Sequence, residues 1–386
     1  MNPSIRKLNV AFVSRHDPFG INNWSGLPYY MAQSFRQRVA RVDFIDNLET
    51  KRFPIHYMKR EFYRRLKGAL YLNDRTKKVG EHYARQIQRR LSGKACDVIF
   101  CPSTMPIAYL ETSIPIVFWT DATFSGMIDY YFFNICRESI NDGNEMERSA
   151  LTRCALAVYS SEWAGKSAVA HYGVDPWKVK VIPFGANLSK IPDIEEIDRE
   201  FSSPLELLLV GRDWGRKGGP IAVEVADLLN QEGIQAHLTV VGCEPVPFTQ
   251  RPYMTVYPHL DKSRDADAAT LYRLFLTADF LILPSRAECT PVVFSEASAF
   301  GLPVLTSVVG GIPSVIMKGE NGYMLPLQAK GSEYASLILR LMNKPELYQK
   351  LRGTSRALYS TLLNWDTATE HLLGLIESAL GNTVRI

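Results

Sequence analysis

Short apolar runs alternate along the whole chain with longer stretches whose apolar residues recur at helical steps. LNVAFVS (8–14), VDFIDN (42–47), CDVIFCPS (96–103), IPIVFWT (114–120), ALAVYS (155–160) and KVKVIPFG (178–185) read as strands in the first half. LELLLVG (205–211), HLTVVG (237–242), TVYPHL (255–260) and FLILPS (280–285) repeat the pattern in the second. Their length and lack of polar alternation suit strands buried on both faces, and the stretches between them carry helical spacing. YYMAQSFRQRV, the segment from Val79 to Leu91, ESINDGNEMERSALTRC, DAATLYRLFLTA and the terminal WDTATEHLLGLIESAL are the clearest helices. Strand and helix in alternation predict an α/β fold with parallel sheets.

At 386 residues the chain exceeds one ordinary core, so two domains are expected. SKIPDIEEIDREFSSP (189–204) is polar and proline-bearing and reads as the linker. The expected division is residues 1–188, the linker 189–204, a second domain 205–362, and a terminal helix 363–386. Hydrophobic content of 46% and charged content of 22% are ordinary globular values.

Charge changes this picture in one place. Between Lys51 and Lys94 stand 14 Lys and Arg against 3 Asp and Glu, a surplus of +11 that leaves −7 for the rest of a chain whose net charge is +4. Within this segment Ile55, Met58, Phe62, Leu66 and Leu70 follow three- and four-residue steps, while Lys59, Arg60, Tyr63, Arg64 and Lys67 lie off that stripe. Such a helix either packs its apolar stripe on the domain or lies on an anionic membrane surface through residues 55–71. Nucleic acid is not expected, because no binding motif accompanies the charge. Six cysteines, at 96, 101, 136, 154, 243 and 289, contain no C-x-x-C pair and suggest neither a disulfide framework nor a zinc site. KLNVAFV is broken at once by Ser14-Arg15-His16-Asp17, so no signal peptide is expected and a cytoplasmic location is.

Candidate chemistry concentrates after FLILPS. In ECTPVVFSE, Glu288 falls in the loop that follows a strand and Glu296 falls on the helix beyond it. Thr290 is placed to cap that helix, with Pro291 in its first turn and Gly301 closing it. Open α/β sheets bind ligands at the carboxyl ends of their strands. A carboxylate there accepts paired hydrogen bonds from vicinal hydroxyls, and the helix terminus offers N–H groups to an anion. Arg212 and Lys217 lie in the corresponding loop after LELLLVG, and Ser25-Gly26 in the loop after the first strand, either as ligand contact or as a structural turn. Asp265 and Asp267 form a D-x-D that precedes a helix, where acidic residues suit the dipole better than they suggest a metal site.

The order Glu, seven residues, Glu, AxAFGLPVL, GGIPSVI and GENGYMLP resembles the donor-binding region of retaining GT-B glycosyltransferases of family 4. SEW, YGV and KVKVIPFG resemble the end of that family's first Rossmann-like unit. The resemblance implies two Rossmann-like domains facing a central cleft, with the terminal helix crossing back to the first. It implies that Arg212 and Lys217 hold the donor diphosphate, that Glu288 holds sugar hydroxyls, and that Glu296 holds the ribose. Thr290, Pro291, Val292, Gly310 and Gly311 are implied at the donor, with His259 and Leu260 beside the base. Two departures stand out: Thr290-Pro291 occupies a position where the family often has Phe-Gly, and Thr120 one where it often has histidine, with Asp121 next to it.

The function implied is transfer of a sugar from a nucleoside diphosphate donor to a hydroxyl of a glycan or lipid-linked acceptor, in cell-envelope or polysaccharide synthesis. No metal and no cofactor are expected, and peripheral attachment to the cytoplasmic membrane face is the corresponding location. The alternative is a nucleotide-sugar-binding regulatory or scaffold protein without turnover. An epimerase would need an acid/base set that the sequence does not display.

Overall fold

The computed structural model describes residues 6–51, 53–245 and 251–383. The chain divides into two units, one comprising residues through Ile182 together with those from Thr369 onward, the other Pro183–Ala368.

In the first unit six strands form one parallel sheet: β1 (Arg6–Val13), β2 (Val39–Ile45), β3 (Val98–Cys101), β4 (Ile116–Thr120), β5 (Leu156–Tyr159) and β6 (Val179–Val181). Their spatial order is β2-β1-β3-β4-β5-β6. Every residue of β3, β4 and β5 is buried, as the unbroken apolar runs predicted. The helices Lys77–Leu91 and Arg137–Arg153 supply Val79, Tyr83, Ile87, Met146 and Ala150 to a core with Ile99, Phe118 and Tyr159.

The second unit repeats the design with β7 (Leu205–Val210), β8 (Ala236–Val241), β9 (Met254–Tyr257), β10 (Phe280–Leu283), β11 (Val304–Ser307) and β12 (Gly322–Leu325). Its order is β12-β11-β10-β7-β8-β9, all parallel. Chain order therefore reverses between β7 and β10 here, and between β1 and β3 in the first unit. Loops that leave two such neighbouring strands part in opposite directions and open a crevice at the strands' carboxyl ends.

The segment 55–71 departs from expectation. An α-helix, Pro54–Phe62, continues as one π-turn, Tyr63–Lys67, and stops at Gly68, which is left-handed with φ 59°. Leu70 lies beyond it and bridges to Ile135. The helix is fastened by its polar side: Lys59 pairs with Glu138, Tyr63 donates to Glu138 Oε2 at 3.2 Å, and His56 is buried. Its apolar stripe faces outward, with Met58 68% and Leu66 71% exposed and Ile55 and Phe62 also exposed. Packing of that stripe on the domain is thereby excluded.

Candidate functional site

The loops after β7 and β10 carry the residues that the sequence singled out in the second unit. Gly211 ends β7, and a Cβ there would stand 2.6 Å from Lys217 Cγ, so only glycine lets the lysine stem pass over the strand end. The Lys217 N–H donates to Asp213 O at 2.9 Å, and the Arg216 N–H to Asp213 Oδ1 at 2.8 Å. The Arg286 N–H donates to Arg216 O at 2.8 Å and joins the two loops.

Glu288 is 4% exposed and collects three donors on one oxygen. Lys217 Nζ lies 2.6 Å from its Oε1, Ser285 Oγ 2.9 Å and Arg216 Nη1 3.3 Å. A buried carboxylate needs such company, since an unpaired charge in this environment costs several kcal/mol. Arg216, and not Arg212, is the arginine at Glu288, and its place beside Lys217 is the sequence signal for it. Arg212 itself is exposed and makes no hydrogen bond or ion pair among the described residues.

Thr290 does not cap the following helix. Pro291, extended at ψ 105°, is the cap of Val292–Ala299, and the Thr290 hydroxyl donates to Cys289 O at 2.7 Å. Pro291 has a helix-compatible φ of −78° but a non-helical ψ, so the helix starts one residue later than expected and Pro291 takes the cap position. The other end is as anticipated. Gly301 is left-handed, its N–H donates to Ser298 O, and the Leu302 N–H donates to Ala297 O, which together satisfy the last carbonyls.

Glu296, on this helix and 4% exposed, has its own cation: Lys262 Nζ lies 2.6 Å from Oε1 and 3.2 Å from Asn187 O. Lys262 follows β9 in the same loop as exposed His259 and partly buried Leu260. No motif marked it. Gly310 and Gly311 were expected to offer N–H groups together, but the Gly311 N–H donates to Glu288 O at 3.1 Å. Gly310, at φ 49°, keeps its N–H without an acceptor among the described residues. Asp265 and Asp267 open the helix Asp265–Thr277, and Asp267 Oδ2 accepts the Asp261 N–H at 3.0 Å.

The remaining sequence choices lie in the first unit. Trp24, Ser25 and Gly26 all have positive φ, at 44°, 57° and 87°, and Gly26 precedes the helix Leu27–Arg38. Thr120 is buried at the end of β4, and Asp121 begins the loop after it, partly buried. A cleft of about 510 Å³ lies elsewhere in the second unit, lined by Lys318, Tyr323, Glu333 and Arg340, and contains none of these residues. The carboxylate–cation pairs, not this cleft, mark the candidate site, because Glu288 and Lys217 sit where the sheet order reverses and Glu296 is on the helix that follows.

Residues 191–357 match the family described as Glycosyl transferases group 1. The match lies within the second unit. A D-inositol 3-phosphate glycosyltransferase of Streptomyces griseus is 29% identical over 168 residues, which are 43% of this chain and 31% of that protein. The chain spans 31% to 50% of the length of the first three curated relatives it matches. Sucrose-phosphate synthase from Thermosynechococcus elongatus superposes with a TM-score of 0.66 at 17% identity, over 97% of this chain and 100% of that one. HepE from Anabaena, solved with UDP-glucose, gives 0.63 at 15% identity, over 96% and 100%. These likenesses show the fold, two Rossmann-like units of the GT-B kind.

Proposed function

We propose that the protein is a retaining glycosyltransferase using a nucleoside diphosphate sugar. The observation that carries the reading is the pair of buried carboxylates, each with its own lysine, on the loop and helix that follow β10. Glu288 and Lys217 stand at the reversal between β7 and β10. In this reading Lys217, with Arg216 and Arg212 from the same loop, neutralises the departing diphosphate, and Glu288 takes sugar hydroxyls. Glu296 takes the ribose, its carboxylate held by Lys262. Ser25, Gly26 and Asp121 serve the acceptor side. The bond from the anomeric carbon to the diphosphate oxygen breaks, and the acceptor oxygen bonds to that carbon on the same face. The acceptor's proton passes to the leaving phosphate. HepE was solved with UDP-glucose, which supports a nucleotide-sugar donor of this type.

A thermal-shift series with UDP-, GDP- and ADP-sugars tests the donor, since a bound ligand raises stability by mass action. Turnover is tested by slow donor hydrolysis without acceptor, undiminished by EDTA if the loop cations do the metal's work. Donor binding without any hydrolysis or transfer would favour the scaffold reading, and no binding would end both.

The acceptor, in this reading, is met at an anionic membrane surface. The outward stripe Ile55, Met58, Phe62 and Leu66 is an exposed face, bordered by Arg60, Arg64, Arg65 and Lys67. Lys59 is engaged with Glu138, and Arg64 and Arg65 share Glu61, so the positive face is narrower than its sequence suggests. Arg60 and Lys67 have no ion pair among the described residues. Apolar residues flanked by cations suit the boundary between headgroups and acyl chains. Among the described residues no helix is long and apolar enough to cross a membrane.

A further inference from the structure

The first unit has its own reversal of strand order, between β1 and β3, and an unclaimed group of polar side chains gathers there. Arg15 follows β1. Its Nη1 donates to Asp74 Oδ2 at 3.1 Å, while its buried Nε has no acceptor. Arg75 is next to Asp74 and within electrostatic reach of Arg15. The Arg75 guanidinium stacks over Phe124 at 4.8 Å and Phe132 at 5.5 Å. None of its five N–H groups meets an acceptor among the described residues.

The Phe124 ring is fixed by its packing. A Cβ at Gly143 would stand 2.2 Å from the Phe124 ring, so glycine admits that ring against the helix Arg137–Arg153. Thr76 then caps the helix Lys77–Leu91 by position alone: it is 6% exposed, and its hydroxyl makes no capping bond and has no other partner. The first N–H groups of a 15-residue helix start beside it.

Two carboxylates are near, and one of them engages one nitrogen of Arg15 while leaving its buried Nε without an acceptor. Asp74 takes Arg15, and the buried Glu147 accepts from Thr104 Oγ1 at 2.7 Å on one oxygen while the other has no partner. Burial lowers the pKa of Arg75 and pushes the Glu147 carboxyl up to about 7, so the local charge is positive at neutral pH. A partly buried guanidinium lying against two rings, with its N–H groups unpaired within the protein, is a fork for an oxyanion.

We propose that this cluster recognises a phosphomonoester on the acceptor, held by Arg75 and Arg15 at the amino end of the helix Lys77–Leu91. The assignment to the acceptor rests on the transferase reading above; the anion site itself does not. The test is calorimetric binding of inorganic phosphate, glucose 6-phosphate and glucose to the full chain carrying Lys217→Ala, which removes the buried cation of the second unit's anion site. Glucose 6-phosphate and phosphate should bind and glucose should not. Arg75→Gln should weaken binding about tenfold or more, and Arg75→Lys, which keeps charge but loses the fork, by a smaller factor. Thr76→Val provides a second variant if Arg75→Gln lowers the unliganded melting midpoint, and should weaken binding by about threefold or more. Equal phosphate affinity in the parent and in every variant, no binding at all, or binding abolished by Lys217→Ala alone would each overturn the proposal. Phosphate binding at Arg75 in a protein that never transfers sugar would leave the site standing and remove the transferase reading.

Discussion

Lys217 Nζ and Glu288 Oε1 lie 2.6 Å apart, and both side chains are almost wholly buried. Each is the other's principal compensation for lost water. The pair is thus a structural dependency before it is anything chemical.

Lys217→Met should accordingly cost about 2–4 kcal/mol in urea unfolding, because Glu288 loses its shortest charged hydrogen bond while staying buried. In a Glu288→Gln background the same change should cost less than about 1 kcal/mol. Equal costs in both backgrounds would show that the two residues do not couple. Lys217→Ala should also lower kcat by roughly 10²-fold or more, through lost stabilisation of the leaving diphosphate.

Glu296 and Lys262 form the second buried pair. Glu296→Ala should weaken donor binding by about 1–3 kcal/mol, with kcat little changed. Lys262→Met should weaken donor binding as well, since it releases the carboxylate from its fixed orientation. The double variant should be no worse than the poorer single one. Additive losses in titration calorimetry would mean that Lys262 touches the donor independently.

Glu147 gives a pH dependence whose sign follows from its environment. Burial raises its folded pKa to about 7, from the ordinary glutamate value of 4.5. Between those values the folded state holds a proton that the unfolded chain has lost, so stability falls as pH rises through this window. Below about 4.5 the contribution is at its most favourable, and above about 7 the penalty is complete, at most about 3 kcal/mol. Glu147→Gln keeps an acceptor for Thr104 and removes the charge. Its melting midpoint should exceed that of the parent at pH 8 and match it near pH 4.5. A difference that does not change with pH would contradict the burial argument.

The outward face of the helix Pro54–Phe62 predicts vesicle binding. Cosedimentation with anionic vesicles should occur at low salt, and neutral vesicles should bind far less. Salt at 1 M shortens the screening length to about 3 Å and should weaken the attraction. Met58→Ser with Leu66→Ser should reduce binding about tenfold or more, through lost apolar insertion. Donor hydrolysis in that variant should match the parent. Indifference of the parent to anionic vesicles at low salt would remove the membrane reading.

Much of this protein was legible in its sequence because the deciding forces are local. Buried parallel strands must be apolar on both faces, so runs such as FLILPS and IPIVFWT announce themselves. Gly301 and Pro303 mark the helix end because a left-handed residue is needed there and a proline cannot continue the helix. Glu288 and Glu296 stood out through the spacing and flanking order of their motif.

What only the tertiary structure decided are the pairings between segments distant in the chain. Periodicity found the stripe Ile55, Met58, Phe62 and Leu66 but could not say which side of the helix meets the domain. Glu138, 79 residues from Lys59, drew the polar side inward and left the apolar one outside. Lys262 carries no motif, and its role appears only when β9 is laid beside β8 and Glu296 is found 34 residues away. Arg216 and Arg212 differ by four positions in one loop, and the turn that bonds Arg216 to Asp213 sends one toward Glu288 and the other into solvent. A charge in a sequence has no partner until the fold removes water from around it, and the fold chooses which carboxylate is near when that happens.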